Sequence, residues 1–173
     1  MKGNWDRCFA MVIESEGGFV DHPKDPGGMT NLGVTRKNWE AYLSRGVSEA
    51  EMRALTPDVV KPFYKVMYWD KIKGNDLPAG VDFTVFDYAV NSGVSHAAKC
   101  LQRAIGSVPD GLIGPKSLQA LNACDIEETI ESICDMRLDF LKGLSAFETF
   151  GKGWTRRVEQ VELKATSMAR QEA

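Results

Sequence analysis

NWDRCFAMVIESEGGFVDHPKDPGGMTNLGVT, residues 4–35, joins two patterns that do not belong to the same element. Asn4 is a fair N-cap, and Trp5, Phe9, Val12, Ile13 and Glu16 follow it at helical spacing. Gly17 and Gly18 end that helix. From Phe19 to Thr35 the chain is rich in Pro, Gly, Asp and Asn, which predicts a loop or a short hairpin. Glu16 therefore closes an apolar stripe, whereas Glu14 lies about 200° away around the axis and faces solvent. A carboxyl at the end of an apolar stripe is partly desolvated and tends to keep its proton, as the general acid of a glycosidase must. The competing reading is a structural Glu that caps loop amides or pairs with Arg36. Asp25 follows nine positions later in a stiff Pro-Gly-Gly turn, and Thr30 five after that. A protonated acid facing an ionised aspartate can protonate a glycosidic oxygen and activate a water, which Thr30 could orient. Equally, Asp-Pro-Gly-Gly is a good turn in which the Asp bonds its own backbone.

Beyond this stretch, helical signals dominate. Thr35 caps a helix expected over Arg36–Arg45, and Ser48 with Glu51 forms a capping box. Thr56-Pro57 starts a further helix running toward Trp69, irregular near Pro62. Others are expected over Ala79–Ser92 and Ser95–Ile105. DGLIGPKSLQALNA reads as an Asp-Gly turn, a Gly-Pro step and a short helix. Asp125 caps a long helix to about Leu144, and the last helix covers Trp154–Arg170. The fold expected is mainly α and lysozyme-like, with a Gly-rich loop or small hairpin after the first helix.

The bulk properties exclude several classes. The 173 residues carry a net charge of −3 with both signs interspersed, which predicts no nucleic-acid partner. Cys8, Cys100, Cys124 and Cys134 form no CxxC pair, and His22 and His96 are the only histidines, so no metal and no cofactor is expected. There is no apolar N-terminal segment and no run of 18 apolar residues, so neither export signal nor membrane anchor is expected.

The run Glu16–Thr35, EGGFVDHPKDPGGMTNLGVT, resembles the signature of glycoside hydrolase family 108, the N-acetylmuramidases, which include phage endolysins and muramidases that assist secretion. The resemblance continues through YWDKIKGNDLPAGVDFTVFDYAVNSG (68–93), AAKCLQRAIG (97–106), DGLIGPKSLQAL (110–121) and FGKGWTRRV (150–158). It implies that Glu16 is the catalytic acid, with Asp25 and Thr30 beside it. Their spacing is similar to the Glu-Asp-Thr set of small phage lysozymes, with Thr30 one residue short. Asp21 and His22 stand where an Asn-Asp pair is common, which leaves His22 without a required role.

The resemblance also divides the single 1–173 domain into a catalytic region, 1–88, and a peptidoglycan-binding-like region, 89–173. Asn91, Ser92 and Gly93 are expected to shape the substrate wall opposite Glu16. Tyr68 and Trp69 are candidate platforms for sugar rings, the alternative being core packing. Trp154, Arg156 and Arg157 are expected mainly to pack, with contact to acidic peptide stems as the functional reading. The implied activity is hydrolysis of the β-1,4 bond from N-acetylmuramic acid to N-acetylglucosamine. The implied protein is a monomer that stays cytoplasmic until holin-dependent release and then acts on the periplasmic cell wall. The competing function is a non-catalytic peptidoglycan-binding module.

Overall fold

In the computed structural model, which describes residues 3–23 and 28–172, the chain opens with helix α1, Asn4–Ser15. Cys8, Phe9 and Val12 on its apolar stripe are buried. Asn4 lies inside the first turn, and its amide donates to Asp82 Oδ2 at 3.0 Å. Its role is thus a tertiary tie.

Two compact units follow from the contacts: Phe9–Met67, and Met1–Cys8 together with Tyr68–Ala173. In the first unit, α1 gives way to the short strands β1 (Thr30–Asn31) and β2 (Val34–Thr35), paired antiparallel as Thr30↔Thr35 and Asn31↔Val34. Val20 bridges Thr30 from the other side. The expected hairpin is therefore present. Thr35 caps α2 (Arg36–Leu43) by accepting from the Asn38 amide, and Ser44 ends it in a left-handed conformation. Ser48 and Glu51 form the reciprocal capping box of α3 (Glu49–Arg53). Thr56 caps α4 (Pro57–Tyr64), which has Pro57 at its start. Pro62 has no amide to donate, and soon after it the chain widens into a π turn over Lys65–Trp69.

The second unit is built around α5 (Val81–Ser92), with α6 (Val94–Ala104), α8 (Ile126–Lys142) and α9 (Phe147–Glu172) packed on it. Every residue of α5 from Val81 to Ala89 is buried. It is buried all round, as a central helix is; the single face expected from its sequence understates it. Helix α7 (Pro115–Leu121) is entered by the Gly114-Pro115 step, and Asp125 caps α8. Helix α9 begins seven residues before the expected Trp154. Gly151 and Gly153 hide that extension, because glycine weakens a helical reading. At Gly151 the glycine has a packing reason: an added Cβ would lie 2.8 Å from the Phe147 ring.

Two buried aspartates sit on α5. Asp87 and Arg137 are each 1% exposed and pair at 2.7 Å, and Arg157 grips the same carboxylate with Nη2 at 2.9 Å. Burial alone would push the Asp87 carboxyl up, but Arg137 and Arg157 together outweigh it and hold it below the usual range. Among the described residues no cation pairs with Asp82. Burial pushes it up to about 6, against the lowering hydrogen bonds from Asn4, Phe83 and Gly80.

That difference has a pH consequence. A carboxyl whose folded value exceeds its unfolded value of about 3.9 stabilises fully below that lower value and loses the contribution as pH rises through the folded one. For Asp82 the loss is roughly 2–3 kcal/mol between about pH 4 and 7. Thermal unfolding followed by circular dichroism should therefore show a downward contribution to Tm across that window. Asp82→Asn should flatten it, and an unchanged slope would contradict the assignment.

Candidate functional site

Glu16 follows the last residue of α1, with its amide still bonded to the Ile13 carbonyl at 3.2 Å. The side chain is half-buried. What faces it is the turn of the β1–β2 hairpin. Leu32 and Gly33 both have positive φ, 50° and 73°, the signature of a type I′ turn whose twist suits a two-residue hairpin. Glycine takes such a conformation freely, whereas leucine does not, by roughly 1–2 kcal/mol. Leu32 is accordingly held at both its polar groups. Its amide donates to the Gly17 carbonyl at 3.0 Å, and its carbonyl accepts from the Tyr64 hydroxyl at 2.7 Å.

The turn is pressed close to the acid. A Cβ on Gly33 would stand 2.7 Å from Glu16 Oε2 and 2.5 Å from the Tyr64 hydroxyl oxygen. The rest of the unit fixes this hairpin. Asn31 is buried and donates to the Met52 carbonyl at 2.8 Å, tying β1 to α3. The Tyr64 ring is fully buried, edge-on to Phe9 at 5.6 Å and to Phe63 at 5.8 Å. Arg53 lies over the Phe19 ring, 3.9 Å from its centroid, which anchors the segment after Gly18.

Of the residues singled out from sequence, Glu16 and Thr30 belong to this unit. Thr30 is half-buried on β1, and strand alternation puts its side chain on the opposite face from buried Asn31. Asp25 lies outside the described residues. Tyr68, Trp69, Asn91, Ser92 and Gly93 belong to the other unit.

Trp69 requires a correction. It is 1% exposed, its indole donates to Asn75 at 3.0 Å, and Trp5 and Phe86 pack on it at 5.4 Å each. Gly74 has no room for a Cβ beside the same ring. No sugar can stack on a face so covered, so Trp69 is a core residue. Tyr68 next to it is half-buried. Asn91 and Gly93 are exposed at the α5–α6 junction, with Gly93 at φ 99°. Arg157 is held by Asp87, in line with the packing role expected of it, whereas Arg156 is exposed.

Two features were missed in the sequence. Tyr64 stands 48 positions from Glu16 and looked like one more apolar helix residue. Gln102, fully buried on α6, organises the loop that carries DGLIGPKS. Its amide donates to Asp110, the Leu112 carbonyl and Ser117, and its carbonyl oxygen accepts from the Gly111 amide. No spacing rule connects a helix glutamine to a loop eight residues later.

Among the described residues no group of His, Cys, Asp and Glu is arranged to hold a metal, and no helix is long and apolar enough to cross a membrane. All four cysteines are free.

Residues 9–93 match the family described as Glycosyl hydrolase 108, and residues 96–159 match a "Predicted Peptidoglycan domain". No curated protein matches the chain. A solved structure titled "Structure of Brucella abortus SagA" is similar at 46% identity with a TM-score of 0.89, over 98% of each chain. The chain belongs to glycosyl hydrolase family 108.

As a family 108 member it is a mainly α, lysozyme-like glycoside hydrolase directed at peptidoglycan. The family match ends at Gly93, the residue joining α5 to α6, and the peptidoglycan match begins within α6. The DGLIGPKS loop that Gln102 braces falls inside the peptidoglycan match.

Proposed function

We propose that this family 108 hydrolase is an N-acetylmuramidase of the lysozyme type, with Glu16 as its general acid. The observation that carries the reading is the half-buried Glu16 carboxylate at the end of α1, braced by a strained, doubly tethered turn. Glu16 gives its proton to the bridging oxygen as the β-1,4 bond from N-acetylmuramic acid to N-acetylglucosamine breaks. Asp25, ionised, stabilises the cationic ring or takes a proton from the attacking water, and Thr30 orients that water. Each cut then consumes one water. Tyr68, Asn91, Ser92 and Gly93 contribute to sugar binding, and the region from residue 89 onward holds the wall polymer. The catalytic region, residues 1–88, acts as part of one monomeric chain. The enzyme waits in the cytoplasm as an endolysin, reaches the periplasmic wall after a holin opens the membrane, and lyses the cell.

Release of soluble muropeptides from purified peptidoglycan tests the enzymatic reading. An endo-acting hydrolase solubilises the wall in proportion to time, whereas a binding module pulls down with it and releases nothing. In the same assay Tyr68→Ala should raise the wall concentration needed for half-maximal rate severalfold with little change in Tm. An early-melting variant of unchanged affinity would make Tyr68 a packing residue instead.

A further inference from the structure

We infer that Tyr64, acting through the Leu32–Gly33 turn, is a positioning residue that sets the placement of the Glu16 carboxylate. The inference rests on the reading of Glu16 as the acid. Two groups converge at the bare α-carbon of Gly33: the space a Cβ would fill is 2.5 Å from the Tyr64 hydroxyl oxygen, and 2.7 Å and 2.9 Å from Oε2 and Cδ of the Glu16 carboxyl. The hydroxyl proton is committed to the Leu32 carbonyl at 2.7 Å, so Tyr64 pins the turn from one side. From the other side the Gly17 carbonyl accepts the Leu32 amide, and Gly17 is the chain neighbour of Glu16. The Tyr64 ring also packs on Phe9, which sits on α1 seven positions before Glu16. One phenol therefore touches both the helix that delivers the acid and the turn that bounds it.

Such bracing matters because an acid misplaced by about 1 Å can lose on the order of 10²-fold in rate. Without the hydroxyl, the Leu32 carbonyl loses its donor and the turn is free to relax away from the carboxylate. A methyl at Gly33 displaces the carboxylate directly, since the flexible Glu16 side chain yields more readily than the backbone.

The test compares the full-length chain with Tyr64→Phe, Gly33→Ala and the double variant in muropeptide release. It is run at a temperature where circular dichroism shows each to be folded. Tyr64→Phe should lower kcat by about 10-fold or more while the half-saturating wall concentration stays unchanged. The double variant should lose little more than the worse single, because both changes act on one contact. A purely structural tyrosine would lose activity only through the unfolded fraction, and that loss would vanish on cooling. Retention of more than half the kcat in Tyr64→Phe would overturn the inference. So would a half-saturating concentration that rises in step, or a double-variant loss equal to the product of the singles. Should Tyr64→Phe fail to fold at every temperature tried, Tyr64 is a structural residue and the inference is overturned. Glu16→Gln is assayed alongside: if that variant stays active, the reading of the acid has failed, which is distinct from failure of the brace.

Discussion

Glu16→Gln should reduce muropeptide release by about 10²–10⁴-fold, the range that a positioned general acid contributes. The amide keeps the size and the hydrogen-bonding reach of the carboxyl beside the Gly33 turn and removes only the transferable proton. Folding should be intact, since the glutamine fills the space that Glu16 fills against the turn. Glu14→Gln is the matched control. Glu14 is exposed on the outer face of the same helix, and its variant should work at close to the normal rate. A Glu16→Gln enzyme retaining more than about a tenth of the rate would remove Glu16 from the role.

Arg137→Ala should be the most destabilising of the changes considered, by about 3–5 kcal/mol, because it strips a buried carboxylate of its closest cation. Among the described residues Asp87 would keep Arg157, whose grip comes from a less buried side chain at 2.9 Å. The variant also loses the guanidinium lying 5.1 Å from the Tyr88 ring centroid and leaves a void between α5 and α8. For a chain of this size each kcal/mol lowers Tm by roughly 2–4 °C, so calorimetry should show a fall of about 10 °C. Arg170→Ala breaks a pair with Glu127 that is largely exposed, 67% and 44%, and should cost less than about 1 kcal/mol. The Asp87 cluster also has a definite pH sign. A carboxyl held below its unfolded value stabilises above about pH 4 and loses the contribution as pH falls through the folded value. An Arg137→Ala protein that melts within a degree or two of wild type would show the cluster to be dispensable.

What was legible in the sequence was local. The capping box at Ser48–Glu51, the Thr35 and Asp125 caps and the Thr56-Pro57 start are short-range hydrogen-bonding patterns, and the helices begin where those patterns put them. The position of Glu16 at the end of an apolar stripe is equally a matter of counting residues within one helix. What was not legible depends on partners far along the chain. The sequence leaves Trp69 open between sugar platform and core, because an aromatic pair does not announce which face is covered; Trp5, Asn75 and Phe86 cover it. Arg157 is expected mainly to pack, but the partner it packs against is a carboxylate 70 positions away, which no local pattern points to. Tyr64 carried no signal at all, because its importance lies in a hydroxyl meeting a carbonyl 32 positions back.

Hydrolysis of the muramic acid bond is read from the chemical identity of the new chain ends. Purified peptidoglycan digested with the wild-type protein, and analysed by mass spectrometry, should yield muropeptides ending in reducing N-acetylmuramic acid, each heavier by one water per bond cut. Ends carrying a 1,6-anhydro ring would mean a transglycosylase, reducing N-acetylglucosamine ends would mean the other glycosidic bond, and either result would rule out N-acetylmuramidase activity.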